Sequence, residues 1–115
     1  MLESTDIELE DERLKQLDIL AEERSMTPSD LLAHYASGSF GFHEGVHTTS
    51  IVLDLVDDQL LHHPAIAGNS EWFRLAARAS EALFNLYQSM GAAQLASRSM
   101  DEGKRPEELN ASNDD

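Results

Sequence analysis

The chain has 115 residues, which is enough for one small domain and hardly enough for two. A formal net charge of −14 disfavours binding to nucleic-acid phosphates or to a membrane surface, and it suits a basic protein partner. The absence of cysteine excludes disulfides and thiolate metal sites. Together with an acidic N-terminal segment unlike a secretory signal and no apolar run of membrane length, it predicts a cytoplasmic protein.

The first predicted element is a short β-strand at residues 5–9. Apolar and acidic side chains alternate there, and a period of two places them on opposite faces of a strand. The acidic face, extended by one further residue, consists of Asp6, Glu8 and Glu10. A helix is predicted to begin at about Asp11, because acidic residues favour the first turn of a helix.

A second, shorter helix is predicted to follow the first. Thr27 is a strong N-cap residue, and Pro28 fits the first helical position, where its missing N–H costs nothing. Gly38 and Gly41 then mark a break before the next helix.

Two long helices are predicted over residues 42–98. In the first, apolar residues step by threes and fours towards Pro64, through Val46, Thr49, Leu53, Val56 and Leu60. In the second, capped by Asn69 or Ser70, a similar seam contains Trp72, Ala76, Ala79, Leu83, Leu86, Met90 and Ala93. Because the connection is short, the two helices are expected to form an antiparallel hairpin. Residues 99–115 are predicted to be a disordered acidic tail.

The order of segments at the N-terminus resembles the ribbon-helix-helix family. The resemblance covers residues 5–37 and rests on DIELEDERL (6–14), LDILAEER (17–24) and MTPSDLL (26–32). It implies a strand, a helix, a tight turn and a capped second helix, with the strands of two chains paired as a ribbon. It also implies DNA binding, through outward ribbon side chains and through the N-terminus of the second helix.

Carried onto this sequence, the resemblance assigns two sets of residues to the DNA-facing positions. Thr27, Pro28 and Ser29 begin the second helix and suit a phosphate. The outward ribbon positions fall on Asp6, Glu8 and Glu10, which repel phosphates. Ser25 also stands where many members have a glycine. The resemblance therefore favours the local fold and dimerisation over DNA binding.

Two pairs of histidines are the remaining candidates for chemistry. His43 and His47 are four residues apart on one helical face, a spacing that can clamp a metal ion. No further ligands are expected nearby, so no metal site and no cofactor are predicted. His62 and His63 precede Pro64, where an imidazolium stabilises a helix C-terminus, and a pH-sensitive contact is the alternative.

The predicted fold is mainly α-helical, with a short N-terminal strand followed by four helices. It forms a single domain at 1–98, made of the ribbon-helix-helix-like segment at 5–37 and the hairpin at 42–98. A homodimer is expected, because an isolated strand needs a partner and the central helix has more apolar surface than so small a monomer can bury.

The leading functional hypothesis is a small acidic regulatory or adaptor protein that acts through protein–protein contacts and homodimerisation. Its candidate interaction residues are Asp6, Glu8, Glu10, Thr27 and Ser29. A ribbon-helix-helix transcriptional regulator or antitoxin-type repressor is the first alternative, and a His-based metal-binding helical bundle is the second. No catalytic motif stands out in the sequence, and an enzyme is not expected.

Overall fold

The computed structural model describes the backbone of residues 5–104 and the side chains of residues 5–98. These residues form α1 (Asp6–Glu23), α2 (Pro28–His34), α3 (Phe40–Leu55), α4 (Pro64–Ala67) and α5 (Ser70–Lys104), with a π-helical turn at Val56–Leu60. They contain no β-strand. They belong to two compact units, one ending at Ala36 and the other beginning at Ser37. The mainly helical prediction is confirmed, and the predicted N-terminal strand is wrong.

Residues 5–9 belong to the start of α1 because Thr5 and Glu8 form a capping box. The Thr5 hydroxyl accepts a hydrogen bond from the Glu8 backbone N–H (3.1 Å), and the Glu8 carboxylate accepts one from the Thr5 N–H (2.9 Å). These bonds satisfy N–H groups that have no partner inside the helix. The prediction that the first helix begins at about Asp11 is therefore also wrong, since α1 begins at Asp6.

The C-terminus of α1 has the hydrogen bonds of a Schellman motif. The Met26 N–H donates to the Ala21 carbonyl (2.9 Å), and the Ser25 N–H donates to the Glu22 carbonyl (3.1 Å). Ser25 has φ = 55°, in the left-handed region that favours glycine. A serine at this position costs about 1 kcal/mol relative to an unstrained residue. The tight turn predicted here is thus formed without the usual glycine.

The N-terminus of α2 matches the sequence prediction. The Thr27 hydroxyl accepts a hydrogen bond from the Asp30 N–H (3.1 Å), and Pro28 is the first helical residue. Leu31 is the buried residue of this short helix.

In the second unit, α3 and α5 are antiparallel. Residues early in α3 contact residues late in α5, and residues that follow α3 contact the first half of α5. The contacting pairs are His43 with Gln94 (2.9 Å), Thr49 with Met90 (3.7 Å) and Asp57 with Ser80.

The turn before α3 lies against the C-terminal half of α5. Gly38 has φ = 95°, and a Cβ added there would lie 3.2 Å from the Ser97 Cβ, so both the backbone conformation and the close approach require glycine. The Ser37 hydroxyl donates to the Ala93 carbonyl (2.9 Å), and the Ser97 hydroxyl donates to Ser37 (2.8 Å). The Ser39 hydroxyl then caps α3.

The π-helical turn changes which leucine faces inward at the end of the central helix. On the predicted seam, Val46 is buried, and the half-buried residues are Thr49, Leu53 and Val56. Leu60 is exposed, whereas its neighbour Leu61 is half-buried. A π turn contains one residue more than an α turn, so each following side chain is displaced around the helix. The predicted seam therefore holds as far as Val56.

His63 begins α4, a one-turn helix that the sequence analysis did not predict. The His63 Nδ1 accepts a hydrogen bond from the Ala65 N–H (3.1 Å), and Pro64 is the first residue of the helix. The predicted role of His62 and His63 at a helix C-terminus is therefore corrected for His63, which is an N-cap.

Asn69 caps α5, as one of the two sequence predictions stated. Its side-chain oxygen accepts hydrogen bonds from the Glu71 and Trp72 N–H groups, both at 3.0 Å. The helix continues to Lys104, past the predicted boundary at 98. Residues 105–115 of the predicted tail lie outside the described residues.

We expect Ser25→Gly to stabilise the turn after α1 by about 0.5–1 kcal/mol, because glycine adopts the left-handed conformation without a Cβ clash but loses more entropy on folding. Hydrogen exchange of the Met26 amide should slow by roughly two- to fivefold. Ser25→Ala keeps the Cβ and should give no gain. Equal exchange rates in the glycine and alanine variants would contradict the strain assigned to Ser25.

Candidate functional site: protein interaction surfaces

Few side chains of the described residues are buried. The buried apolar residues are Ala21 and Leu31 in the first unit, and Val46 and Ala76 in the second. Many large apolar side chains remain exposed on both units. Burying a leucine-sized side chain contributes about 1.5–3 kcal/mol, and contiguous exposed apolar patches mark interaction surfaces. The positions of these side chains therefore mark candidate interaction surfaces.

The inner side of α5 differs from the predicted seam. The residues on this side are three or four positions apart. Ala76 is buried, and the half-buried members are Ser80, Leu83, Tyr87, Met90, Gln94 and Ser97. Only Ala76, Leu83 and Met90 also belong to the predicted seam. The other predicted members, Trp72, Ala79, Leu86 and Ala93, are exposed. Leu53 and Leu83, which belong to the two predicted seams, are both half-buried.

Hydrogen bonds explain why polar residues occupy the inner side of α5. Ser80 donates to the Asp57 carboxylate, Gln94 bonds to His43, and Ser97 bonds to Ser37. A pattern based on apolar residues alone predicts that these polar side chains face the solvent. The signal that could have found them is the seven-residue spacing of Ser80, Tyr87 and Gln94, which places all three on one side of a helix.

A second row of residues on α5 is exposed and contains no charge from 72 to 96. Its members also step by threes and fours, and they are Trp72, Leu75, Ala79, Ala82, Leu86, Ser89, Ala93 and Ala96. Trp72 is 54% exposed, Leu75 55% and Leu86 47%. We call this row, together with Val52 of α3, the uncharged face.

Val52 lies on the same side of the hairpin as the exposed row of α5. A Cβ added at Gly45 would meet the Met90 side chain at 3.4 Å, so Gly45 marks the edge of α3 beside Met90. Val52 follows Gly45 by seven residues, about two turns, and therefore shares that edge. Leu86 precedes Met90 by one turn and lies beside it. Val52 is 39% exposed.

At about 100° per residue, His43 and His47 lie on a different side of α3 from Val52. His43 and His47 are both exposed, and with Phe40, Glu44 and Thr48 they line an open groove. Within residues 5–98, no group of three or more potential ligands converges to hold a metal ion. The expectation that no metal binds to His43 and His47 stays a prediction.

In the first unit, α1 contains eight acidic and two basic residues. A helix turns by about 100° per residue, so Asp6 and Glu10 lie on nearly the same side while Glu8 lies on another. The three residues predicted as one acidic ribbon face are therefore not brought together. Arg13 donates hydrogen bonds to Glu10 and lowers the pKa of that carboxyl.

A different set of carboxylates forms the acidic side of α1. Asp11, Asp18 and Glu22 are exposed and are separated by seven and four residues, which places them together on a helix. They lie away from the half-buried Leu17 and Leu20. We call Asp11, Asp18 and Glu22 the acidic side of α1.

An apolar groove of about 200 Å³ lies within the first unit, lined by Leu17, Leu20, Arg24, Leu31, Leu32 and Tyr35. The two predicted interaction residues at the start of α2 have simpler roles. Thr27 caps the helix, and Ser29 is exposed in the first turn. Neither residue lines the groove.

Comparison of the chain with protein-family models, with curated proteins and with solved structures finds no match. The resemblance to the ribbon-helix-helix family therefore stays a prediction. Among the residues that the structure describes, no helix combines the length and apolar character needed to cross a bilayer.

We expect Ser80→Ala to lower the free energy of unfolding by about 1 kcal/mol, because a half-buried carboxylate at Asp57 loses its hydroxyl donor. Denaturant titration measures the change. Asp57→Asn keeps an oxygen that can accept the same bond and should cost less. Parent-like midpoints for Ser80→Ala would show that this bond contributes nothing to the packing of the hairpin.

Proposed function

We propose that this protein is a small acidic adaptor that acts as a homodimer. Two copies associate through the uncharged face of the hairpin, and the acidic side of α1 recruits a basic protein partner. The observation that carries the proposal is the uncharged face itself, where leucine and tryptophan side chains remain about half exposed on a row with no charged residue.

The composition of the uncharged face supports association between helices. Ala79, Ala82 and Ala93 are small, so a second helix can approach closely between the larger side chains. The hairpin buries little apolar area by itself, with Val46 and Ala76 as its buried apolar residues among those described. Association would therefore supply apolar burial that one copy lacks.

The acidic side of α1 supports a basic partner. A concentration of carboxylates accelerates encounter with a positively charged surface and disfavours acidic competitors. The same charges oppose binding to duplex DNA, since no counterions are released when carboxylates approach phosphates. The DNA-reading alternative assigned Asp6, Glu8 and Glu10 to a ribbon, but these residues lie in α1. The cytoplasmic location stays a prediction from the sequence.

We expect Ala82→Glu to convert the dimer to a monomer, because it places a charge at the centre of the uncharged face, which association would desolvate. Gln88→Glu adds the same side chain to an exposed position on another side of α5, away from that row, and should leave the dimer intact. Sedimentation velocity of both variants and of the parent measures the masses. A monomeric parent, or a dimer that persists in Ala82→Glu, would contradict this part of the proposal.

We expect the triple variant Asp11→Asn, Asp18→Asn and Glu22→Gln to lose most of its basic partners in a pull-down from the native cell. The matched control removes three exposed carboxylates from the second unit through Glu44→Gln, Asp54→Asn and Glu81→Gln, and it should retain those partners. Mass spectrometry identifies the captured proteins at two salt concentrations, because an electrostatic complex weakens as salt rises.

Two results would contradict the adaptor proposal. The first is an equal loss of partners in both triple variants, which would indicate an effect of net charge without a defined site. The second is sequence-selective, sub-micromolar binding of duplex DNA by the parent, which would restore the regulator hypothesis.

A further inference from the structure

We propose that α5 packs against α5 of a second copy in an antiparallel arrangement, about a two-fold axis that passes beside residue 84. This inference rests on the proposed homodimer and specifies its geometry. Each copy would place Leu75 opposite Ala93 of the other copy, Ala79 opposite Ser89, and Ala82 opposite Leu86. The partner of the uncharged face is therefore an identical chain in one register.

The spacing of the exposed row permits such a two-fold arrangement. From Trp72 to Ala96 the row steps by three and four residues alternately, and the order of steps is the same from either end. When the row is reversed on a second copy, every member meets another member of the row. A row whose spacing is the same in both directions satisfies the self-complementarity that a two-fold interface requires.

Side-chain size selects the register. The larger residues Trp72 and Leu75 lie at one end of the row, and the small residues Ala93 and Ala96 lie at the other. Reversal about residue 84 therefore places each large side chain opposite a small one. Large residues facing small ones interdigitate and keep the distance between two helices uniform along their length.

Neighbouring antiparallel registers pair the side chains less well. A shift by seven residues in one direction places Leu75 opposite Leu86 and leaves Ala79 opposite Ala82. A shift in the other direction places Ala79 opposite Ala96 and Ala82 opposite Ala93. In both cases large residues face large ones or small residues face small ones, which leaves bulges or voids at the contact.

A parallel pair is disfavoured for the same reason. It would place Trp72, Leu75 and Leu86 each opposite its own copy, while Ala79 and Ala82 would also face themselves. The helices would be held apart at the large residues and would leave a gap at the alanines.

The distribution of charge favours a second copy over a basic partner at this face. A basic protein gains nothing from a row without carboxylates, whereas two chains of formal charge −14 can approach each other there without bringing charges into contact.

The row from 72 to 96 is about 36 Å long, at a rise of about 1.5 Å per residue. With α3 beside it, the face is two helices wide, on the order of 700 Å², close to the roughly 800 Å² per partner of a stable interface.

Cysteine cross-linking tests the register, because the chain has no cysteine of its own. Ala79→Cys combined with Ser89→Cys replaces two small residues that the inference places opposite each other. Oxidation should convert most of this variant to a covalent dimer with two disulfides. Within one chain the two cysteines are ten residues apart, about 15 Å along the helix, which is too far for an internal disulfide.

Three controls use the same helix. The single variants Ala79→Cys and Ser89→Cys should stay unlinked, since each cysteine lies about 15 Å along the axis from its own copy in this register. Ala79→Cys combined with Ala96→Cys should also stay unlinked. In this register residue 96 lies seven residues, about 10 Å along the axis, from the position opposite Ala79 of the other copy. Each reduced variant should match the parent in helicity and sedimentation.

The outcomes separate the geometry from the dimer. Preferential linking of the 79/89 pair supports the inference. Linking by Ala79→Cys alone indicates a parallel pair, and preferential linking of the 79/96 pair indicates another register; either result overturns the geometry but keeps the homodimer. A dimeric parent without any of these links also overturns the geometry. A monomeric parent overturns both the geometry and the homodimer of the proposed function.

Discussion

The polar bonds between α3 and α5 determine which side of α5 faces inward, and the exposed surface of the hairpin follows from that choice. A helix with apolar residues over a wide arc can pack in several rotations of similar apolar burial. The bond from Ser80 to Asp57 and the bond between Gln94 and His43 both require one rotation. Leaving the partly buried Ser80 and Asp57 without each other would cost about 1–3 kcal/mol, which is enough to decide among apolar alternatives, whereas the exposed bond between Gln94 and His43 contributes less.

The capping residues were the most predictable part of the fold. Thr27, Pro28 and Asn69 act as their residue types suggest, because a cap depends on a side chain and a backbone within a few residues of each other. The incorrect strand prediction at residues 5–9 also concerns a local cap. Thr5 and Glu8 match the capping-box pattern in the sequence, whereas the alternation of apolar and acidic residues over 5–9 predicts a strand.

The interaction surfaces were less predictable because they depend on helix rotation and on contacts between distant residues. The apolar pattern placed the surplus of apolar surface on the central helix, whereas large apolar side chains of α5 are exposed as well. It could not separate the inner row from the exposed one, since Ala76 and Ala79 look alike in a sequence. The acidic side of α1 was missed because Asp6, Glu8 and Glu10 share a face only in a strand.

In the proposed homodimer, the location of the charges would make contact through the uncharged face selective. An exposed apolar row invites indiscriminate association, which a high net charge on the rest of the surface opposes. Two acidic chains repel each other in most orientations, and at physiological salt this repulsion acts over about 8 Å. An orientation that brings the uncharged faces together gains apolar burial while keeping carboxylates such as Glu81 outside the contact. In the proposed homodimer, the acidity of the chain and the missing charges of one helix side would thus act together, since the first opposes wrong contacts and the second leaves one contact permitted.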